Sequence, residues 1–522
     1  MSIEGSAKKK LLAVLVWAAC LGAALAVVVF WWRPFSRERL DSQTGSQSRY
    51  RHKIILRSDS FSGYCILRSA EMRQQLANAG ILLAIEDDKA DYVGRLTALK
   101  KDKADMAVFT VDSLLAAGAR IGEFPATIVT VIDETRGADA IVAYRSAVAS
   151  IQDLNRPDAR FVLTPDSPSE FLARIVVSDF NLPKLPAKWV SPAGGAAEVY
   201  ELFRKASRSE PRAYVLWEPY VSKALAEAGV HVLLGSDKIK GYIVDVLVAR
   251  RTFLRDHPAL VRTVIESYLR AAYSCRDGMP ELVMEDAKAA GEPLSRQEAE
   301  RLVKGIQWKN TLENYAHFRL LSRQESGGLE DLEAIISKVT GILIVTSAIT
   351  RDSVTVPPNA LYYDKIMRDL QAGDFHPGRT LGIVGGSGGD LDAIRGEAEL
   401  PALSEKEWDG ELLAVGQMRV PPISFLRGTA ELGIQSRRDL EALAGRLKSL
   451  PRYYLLVAGH ARAEGDPDEN LRLAKERADI VAEYLILRLG IARNRVLAVA
   501  AKPSQQAGEA QSVTFELKQR PY

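Results

Sequence analysis

The sequence of 522 residues predicts an α/β protein with two folded units behind a single transmembrane helix. Three observations support this prediction. Residues 11–32 form an uncharged apolar run, residues 52–350 alternate between apolar strands and helical patterns, and residues 411–522 repeat that alternation over a shorter length. Strands separated by helices build mostly parallel sheets, whereas the shorter pattern predicts a small α+β domain.

The apolar run at residues 11–32 predicts a membrane anchor. As a helix it would be about 33 Å long, close to the roughly 30 Å of a bilayer core. Three lysines at 8–10 precede it and two tryptophans at 31–32 end it. Positive residues favour the cytoplasmic side, so residues 1–10 are predicted to be a cytoplasmic tail. The expected location is therefore the inner membrane, crossed once, with the bulk in the periplasm. A cleaved signal peptide is the alternative, but its apolar core is usually shorter.

Residues 33–51 are polar and predict a flexible linker. The first folded unit, residues 52–350, follows. Its predicted strands are KIILR, ILLAI, DMAVF, ATIVTVI, AIVAY, RFVLT, AYVLW, VHVLLG and YIVDVLVAR. Ligands of such sheets bind beyond the carboxyl ends of the strands, where helix N-termini present amide donors.

Polar residues directly follow several of these strands. Side chains at such positions are predicted to line one cleft and to bind a small-molecule solute: Ser60, Ser62, Thr110, Asp112, Asp166, Ser169 and Trp217. Each polar cluster taken alone is equally typical of an ordinary helix cap. Because several such clusters follow successive strands, a shared cleft is expected.

The segments DMAVFTVDSLL, PDSPSEFLAR, AYVLWEPYVSKAL and YIVDVLVARRTFLRDHPALV carry a resemblance. Over about residues 53–345 the chain resembles the periplasmic solute-binding proteins of the nitrate, sulfonate and thiamine-precursor type that serve ABC transporters. The resemblance implies a type II-like, two-lobed fold whose lobes are joined by two crossings, near residues 136–144 and 240–248. It also implies an ABC permease or another inner-membrane protein as a candidate partner. Asp133, Arg136 and Asp139 are expected to brace the first crossing, and Arg136 is also a candidate for an anionic group.

Residues 351–410 are rich in turn residues and predict an irregular linker. Beyond them, ISFLRGTAEL, VAGHARAEGDPDENLRLAKERADIVAEYL and GIARNRVLAV resemble the OmpA-like C-terminal domains that bind peptidoglycan. The resemblance implies that Arg477 and Asn470 match binding residues of that family, whereas Arg462 occupies the place of its aspartate. An arginine there favours carboxylates over the ammonium group of a wall peptide. Peptidoglycan is therefore a doubtful partner, with dimerisation or protein docking as the alternative.

The composition favours a binding protein over an enzyme. The 69 basic and 66 acidic residues leave a net charge of +3, so nucleic-acid binding is not expected. The three cysteines lack metal-site spacing, and the sequence has no phosphate-binding G-x-x-x-x-G-K-[ST] motif and no H-E-x-x-H motif. Neither a cofactor, a metal site nor a catalytic residue is predicted. The alternatives are an envelope scaffold or signalling receptor without transport and, less favoured, a periplasmic enzyme.

Overall fold

The structure, a computed structural model, describes residues 50–378, 399–425, 431–461, 466–501 and 513–521. The predicted anchor at residues 11–32 and its flanking segments lie outside these residues, as does Arg462. Across the ranges just given, no helix combines the length and the apolar character needed to cross a membrane. The membrane anchor therefore stays a prediction.

Strands and helices are numbered here in chain order. The strands are β1 (His52–Ser58), β2 (Ile81–Asp87), β3 (Met106–Thr110), β4 (Ala126–Thr135), β5 (Asp139–Tyr144), β6 (Arg160–Leu163), β7 (Val190–Pro192), β8 (Arg212–Trp217), β9 (Val230–Gly235), β10 (Val244–Arg250), β11 (Ile306–Trp308), β12 (Leu413–Gln417), β13 (Tyr454–Gly459), β14 (Val496–Ala500) and β15 (Val513–Gln519). The helices are α1 (Cys65–Arg68), α2 (Ala70–Asn78), α3 (Tyr92–Lys100), α4 (Val111–Ile121), α5 (Pro168–Asp179), α6 (Ala196–Lys205), α7 (Tyr220–Leu225), α8 (Arg251–Asp256), α9 (Pro258–Cys275), α10 (Met279–Ala290), α11 (Arg296–Gly305), α12 (Thr311–His317), α13 (Leu332–Val345), α14 (Lys365–Ala372), α15 (Glu405–Gly410), α16 (Ile434–Lys448) and α17 (Pro467–Glu483).

The first lobe is built on a sheet with the strand order β11-β4-β10-β3-β1-β2. β1 pairs in parallel with β2 and β3, whereas β10 runs antiparallel to β3 and β4. β3 and β4 are buried along their whole length. Strands covered by helices on both faces have this near-continuous apolar character, which is why the sequence shows them clearly.

The second lobe repeats the same arrangement in the order β7-β6-β8-β5-β9. The chain passes from the first lobe to the second between β4 and β5, at residues 136–138, and returns between β9 and β10, at residues 236–243. The first crossing begins at the predicted residue 136, and the second begins before the predicted residue 240. Both crossings end earlier than predicted, because β5 starts at Asp139 and β10 at Val244. Two α/β lobes joined by two crossings are confirmed.

α13 packs on both lobes, against α4 of the first and α5 of the second. The next helix, α14, lies inside the range 351–410 that the sequence assigns to an irregular linker. Just before α14, Ile128 and the segment at Leu361 and Tyr363 exchange backbone hydrogen bonds of 2.8 Å. This segment and α14 therefore pack on the first lobe, while the domain limit at residue 350 stays a prediction.

The C-terminal domain has a sheet of order β12-β15-β13-β14, in which β13 and β14 are parallel and β15 runs antiparallel to β12 and β13. α17 packs closely over β13. A Cβ atom on Gly459 would lie 1.9 Å from the carbonyl oxygen of Ala474, so a glycine is required where α17 passes over β13. Small residues on α17, Ala474 and Ala478, are fully buried there.

The C-terminal domain rests on the second lobe and on the second crossing. The backbone N–H of Lys240 donates to the carbonyl of Ser449 at 2.8 Å, and that of Asn181 donates to the carbonyl of Gln417 at 2.9 Å. Phe180 of the second lobe and Met418 of the C-terminal domain are buried and belong to one apolar core that continues through both domains. The two units are thus in direct contact.

Candidate functional site

A cavity of about 570 Å³ lies where the two lobes face each other. Its walls are α4 of the first lobe, the loop between β6 and α5 of the second lobe, and the C-terminal end of α13. Two strands end beside it, since Asp112 follows β3 of the first lobe and Pro165 follows β6 of the second. The topology therefore brings together the strand ends where the sequence predicts the binding site.

The structure places most of the predicted binding residues at this junction. Asp112 and Asp166 line the cavity. Thr110 is buried and its hydroxyl donates to Ser113 Oγ at 2.8 Å, while buried Ser169 donates to Asp139 Oδ1 at 3.3 Å.

The other three predicted residues are less enclosed. Trp217 ends β8, is half-buried and pairs with Asp139 of β5 in the sheet. Ser62 is half-buried at the start of a short 3₁₀ turn, and Ser60 is exposed. The ligand contacts of all seven residues stay predictions.

Asp166 forms an ion pair across the two lobes. Both guanidinium nitrogens of Arg120, on α4, donate to the carboxylate of Asp166, at 2.9 and 3.1 Å. The two side chains are 58% and 53% exposed, so the pair lies at the rim of the cleft. It connects the two lobes on the cavity side.

Four carboxylates are buried beside the crossings. Asp112, Asp133, Asp139 and Asp245 are 5%, 0%, 7% and 1% exposed. Asp133 and Asp245 are direct partners in the pairing of β4 with β10, and Tyr64 donates to Asp245 Oδ1 at 2.5 Å. Both oxygens of Asp133 and one oxygen each of Asp112 and Asp245 are buried without a hydrogen-bond donor.

Burial is the main cause of unusual ionisation at these carboxylates. It raises the pKa of Asp112, Asp133 and Asp139 to about 7 in each case. Burial also raises the pKa of Asp245 well above its ordinary value, and the neighbouring Asp133 raises it further. Because Asp133 and Asp245 are neighbours across β4 and β10, ionisation of either carboxyl group disfavours ionisation of the other.

Other buried acids nearby have basic partners. Arg95 is fully buried and contacts Asp88 at 2.5 Å and Asp59 at 2.9 Å. Lys309 contacts Glu134 at 2.8 Å. Although burial acts to raise the pKa of Glu134, the charge of Lys309 and its hydrogen bond lower it to about 2. In the part of the chain that the structure describes, these acids have basic side chains as partners, whereas Asp112, Asp133, Asp139 and Asp245 do not.

Only Asp112 of the four buried carboxylates is among the predicted binding residues. Asp133 and Asp139 were expected to brace a crossing, and Asp245 and Tyr64 were not selected. The available signal was an aspartate inside an otherwise apolar strand, in ATIVTVIDET and in YIVDVLVAR. A buried strand seldom carries a carboxylate without a partner or a function.

Within the described residues, no three or more His, Cys, Asp or Glu side chains group so that they could hold a metal ion. Cys65 is a buried free thiol and Cys275 a half-buried one.

The second predicted site lies on α17 of the C-terminal domain. Arg477 is half-buried, donates to the carbonyl of His460 at 3.3 Å and lies 5.3 Å from the ring centre of Phe425. Asn470 lies in the first turns of the same helix, where its N–H donates to the carbonyl of Asp466 at 3.0 Å. Arg462, the third member, lies outside the described residues, so its predicted role remains open.

Comparison with known proteins identifies this C-terminal unit. Residues 424–514 match the model of the OmpA family. The C-terminal unit is an OmpA-family domain. Outer membrane protein P5 of Haemophilus influenzae is 27% identical over 119 residues, which are 23% of this chain and 30% of that protein. The chain thus spans less than a third of that relative.

Solved structures similar to the remainder of the chain are periplasmic binding proteins. The aliphatic sulphonate binding protein SsuA of Escherichia coli is 15% identical with a TM-score of 0.43, covering 60% of this chain and 92% of that one. The nitrate-binding protein NrtA of Synechocystis is 12% identical with a TM-score of 0.43, covering 61% of this chain and 88% of that one. The predicted OmpA-like domain is confirmed, and the chain ahead of it has the two-lobed α/β architecture described above.

Proposed function

We propose that the protein is a solute-binding receptor of the periplasm that acts by binding rather than by catalysis. The observation that carries the proposal is the 570 Å³ cavity between two lobes joined by two crossings. Two lobes on such a hinge close around a ligand, and polar groups at the strand ends orient it. The buried oxygen without a donor at Asp112, which lines the cavity, adds support, because a bound solute can supply that donor.

A thermal-shift screen of the whole chain tests this function. Small anions, sulfonates, pyrimidines and amines are added one at a time. A solute that binds the folded state must raise the melting temperature, and the increase must grow with the solute concentration. A folded chain that responds to none of these solutes would favour the scaffold alternative.

Anchoring in the inner membrane is the second part of the proposal. It rests on the uncharged run at residues 11–32 behind three lysines. Protease added to spheroplasts should digest everything beyond about Arg33. A protease-protected C-terminal domain would contradict this topology. Delivery of the solute to a permease is proposed on the same basis, since the chain carries no ATP-binding motif of its own.

For the OmpA-family domain we propose weak contact with the cell wall. Arg462 replaces an acid that would pair with the ammonium group of the wall peptide, so one charge-assisted contact is lost. The loss of one such contact weakens binding by about tenfold or more. The whole chain should therefore sediment poorly with purified peptidoglycan, and Arg462→Asp should improve sedimentation. Strong sedimentation of the native protein, abolished by Arg477→Ala, would contradict this prediction.

A further inference from the structure

The cleft contains more buried carboxyl groups than the protein pairs with basic side chains. Asp112, Asp133, Asp139 and Asp245 cluster at the two crossings and are nearly or fully buried. Among the residues that the structure describes, none of these four forms an ion pair with a lysine or arginine. Lys309, the basic residue that acts on Asp133, is held 2.8 Å from Glu134. A basic side chain of the protein therefore does not balance the cluster.

Several oxygens of the cluster also lack hydrogen-bond donors, and one member of the cluster, Asp112, lines the cavity. Asp112 is 5% exposed, lines the cavity and has one oxygen without a donor. Asp133 is completely buried and neither of its oxygens has a donor. A buried carboxylate oxygen without a partner is unfavourable, so these positions are complementary to a ligand that brings N–H donors and positive charge.

The geometry favours an organic cation over a metal ion. The carboxylates are spread over both lobes: Asp112 starts α4 of the first lobe, whereas Asp139 starts β5 of the second. Within the described ranges they do not form a metal-holding group. Aromatic side chains accompany them, since Tyr64 donates to Asp245 and Trp217 is the sheet partner of Asp139. Carboxylates combined with aromatic rings suit an ammonium group on an organic body.

The arginines that line the cavity are paired with acidic residues. Arg120 is paired with Asp166, and Arg174 is paired with Glu170 at 2.5 Å. With these pairs formed, Asp112 is the acidic lining residue that has no basic partner among the described residues. A sulfonate or nitrate ion there would face carboxylate repulsion without a free guanidinium or ammonium group among the lining residues.

We propose that the cleft binds a protonated amine, whose N–H groups lie between Asp112 of the first lobe and Asp139 of the second. This inference rests on the proposed solute-binding function. It predicts the charge class of the solute and the two carboxylates that recognise it. Closure of the lobes brings both carboxylates to the same ammonium group.

The test is a titration of the whole chain at slightly alkaline pH with butylamine, putrescine and spermidine, and in parallel with ethanesulfonate and nitrate. At least one amine should raise the melting temperature and give saturable heat in calorimetry. Asp112→Asn combined with Asp139→Asn should weaken that affinity at least tenfold. The matched control is Asp158→Asn combined with Asp256→Asn, which removes the same charge from exposed surface pairs and should leave the affinity unchanged.

Each other outcome overturns the inference in a recognisable way. Tighter binding of ethanesulfonate or nitrate would overturn the amine assignment and leave the solute-binding function standing. Binding of Ca²⁺ or Zn²⁺ that the double variant abolishes would replace the amine by a metal ion. No response of a folded chain to any probe would count against both proposals. Each single variant, checked for folding by circular dichroism, repeats the test if the double variant does not fold.

Discussion

The carboxylates of Asp112, Asp133 and Asp139 make the stability of the folded protein depend on pH. Their pKa values are raised to about 7 because they are buried. In the unfolded chain an aspartate titrates near pH 4. Between about pH 4 and about pH 7 the folded state therefore binds more protons than the unfolded state.

The free energy of unfolding should fall as the pH rises through that window. The full contribution is present below about pH 4, and each group gives a slope of up to about 1.4 kcal/mol per pH unit. Glu134, with its pKa lowered to about 2, contributes in the opposite sense and loses its stabilisation as the pH falls from about 4 to about 2. Urea unfolding of the ligand-free chain at about pH 5 and about pH 8 measures the difference. Higher stability at the alkaline pH would contradict the prediction.

Part of the candidate site could be predicted from single residues. Asp112 and Ser169 were found because they follow strands, and the position of a strand end is readable from an apolar run. Asp133 and Asp245 could not be joined from the sequence, because β4 and β10 are separated by the whole second lobe and become neighbours only in the sheet. Their shared burial is a property of that pairing.

Among the elements, α14 shows that part of the linker range belongs to the first lobe. Met367 is completely buried on α14, in the core shared with β4. Met367→Ala should lower the free energy of unfolding by about 2–5 kcal/mol, through the lost apolar contact and the cavity that remains. Arg368→Ala, on the exposed face of the same helix, should change it by less than about 0.5 kcal/mol. Equal effects of the two changes in urea unfolding would show that α14 is not part of the lobe.

The cross-lobe ion pair of Arg120 with Asp166 should help to close the cleft without determining affinity. Both partners are more than half exposed, so water and salt screen their attraction. Arg120→Ala should weaken solute affinity by less than about tenfold at low ionic strength and hardly at all at high ionic strength. Lys100→Ala is a matched control, since it breaks an exposed pair with Glu123 inside the first lobe. A large loss that persists in high salt would instead place Arg120 in contact with the solute.

The elements that form the two sheets were predictable because they are long, apolar and separated by capped helices. α14 was missed because its eight residues lie in a segment rich in proline and glycine, where a short amphipathic pattern is hard to distinguish from a turn. The packing of α13 on both lobes was also beyond prediction. A helix pattern shows which face is apolar but does not show which neighbours cover it.

At the scale of the whole molecule, the apolar core continues from the second lobe into the OmpA-family domain. Phe180 packs against the backbone at Gly416, where a Cβ atom would lie 3.0 Å from its ring. Calorimetry of the native chain should show the two units unfolding together. Phe180→Ala removes about 3–5 kcal/mol of packing and should separate the melting into two transitions. Leu225→Ala, at a partly exposed leucine of the second lobe, should preserve the single transition; two transitions in the native chain would show that the interface is weak.

The order of the units was predictable, but their contact was not. Phe180 ends a helix and Met418 follows a strand, and in sequence both are typical of ordinary core positions within their own units. Only the fold shows that they meet each other. The hydrogen bond between Lys240 and Ser449 could not be predicted from the sequence either, because it joins backbone atoms.

The two ends of the chain enter the receptor on opposite sides of its hinge. Residues before His52 lead directly into β1 of the first lobe, whereas the OmpA-family domain rests on the second lobe and the returning crossing. Tension applied between these two attachments therefore acts across the cleft and does work when the lobes separate. Since coupling between two equilibria is reciprocal, a solute that favours closure would also resist such extension. A load that pulls the two lobes apart would therefore lower the affinity of the cleft for its solute.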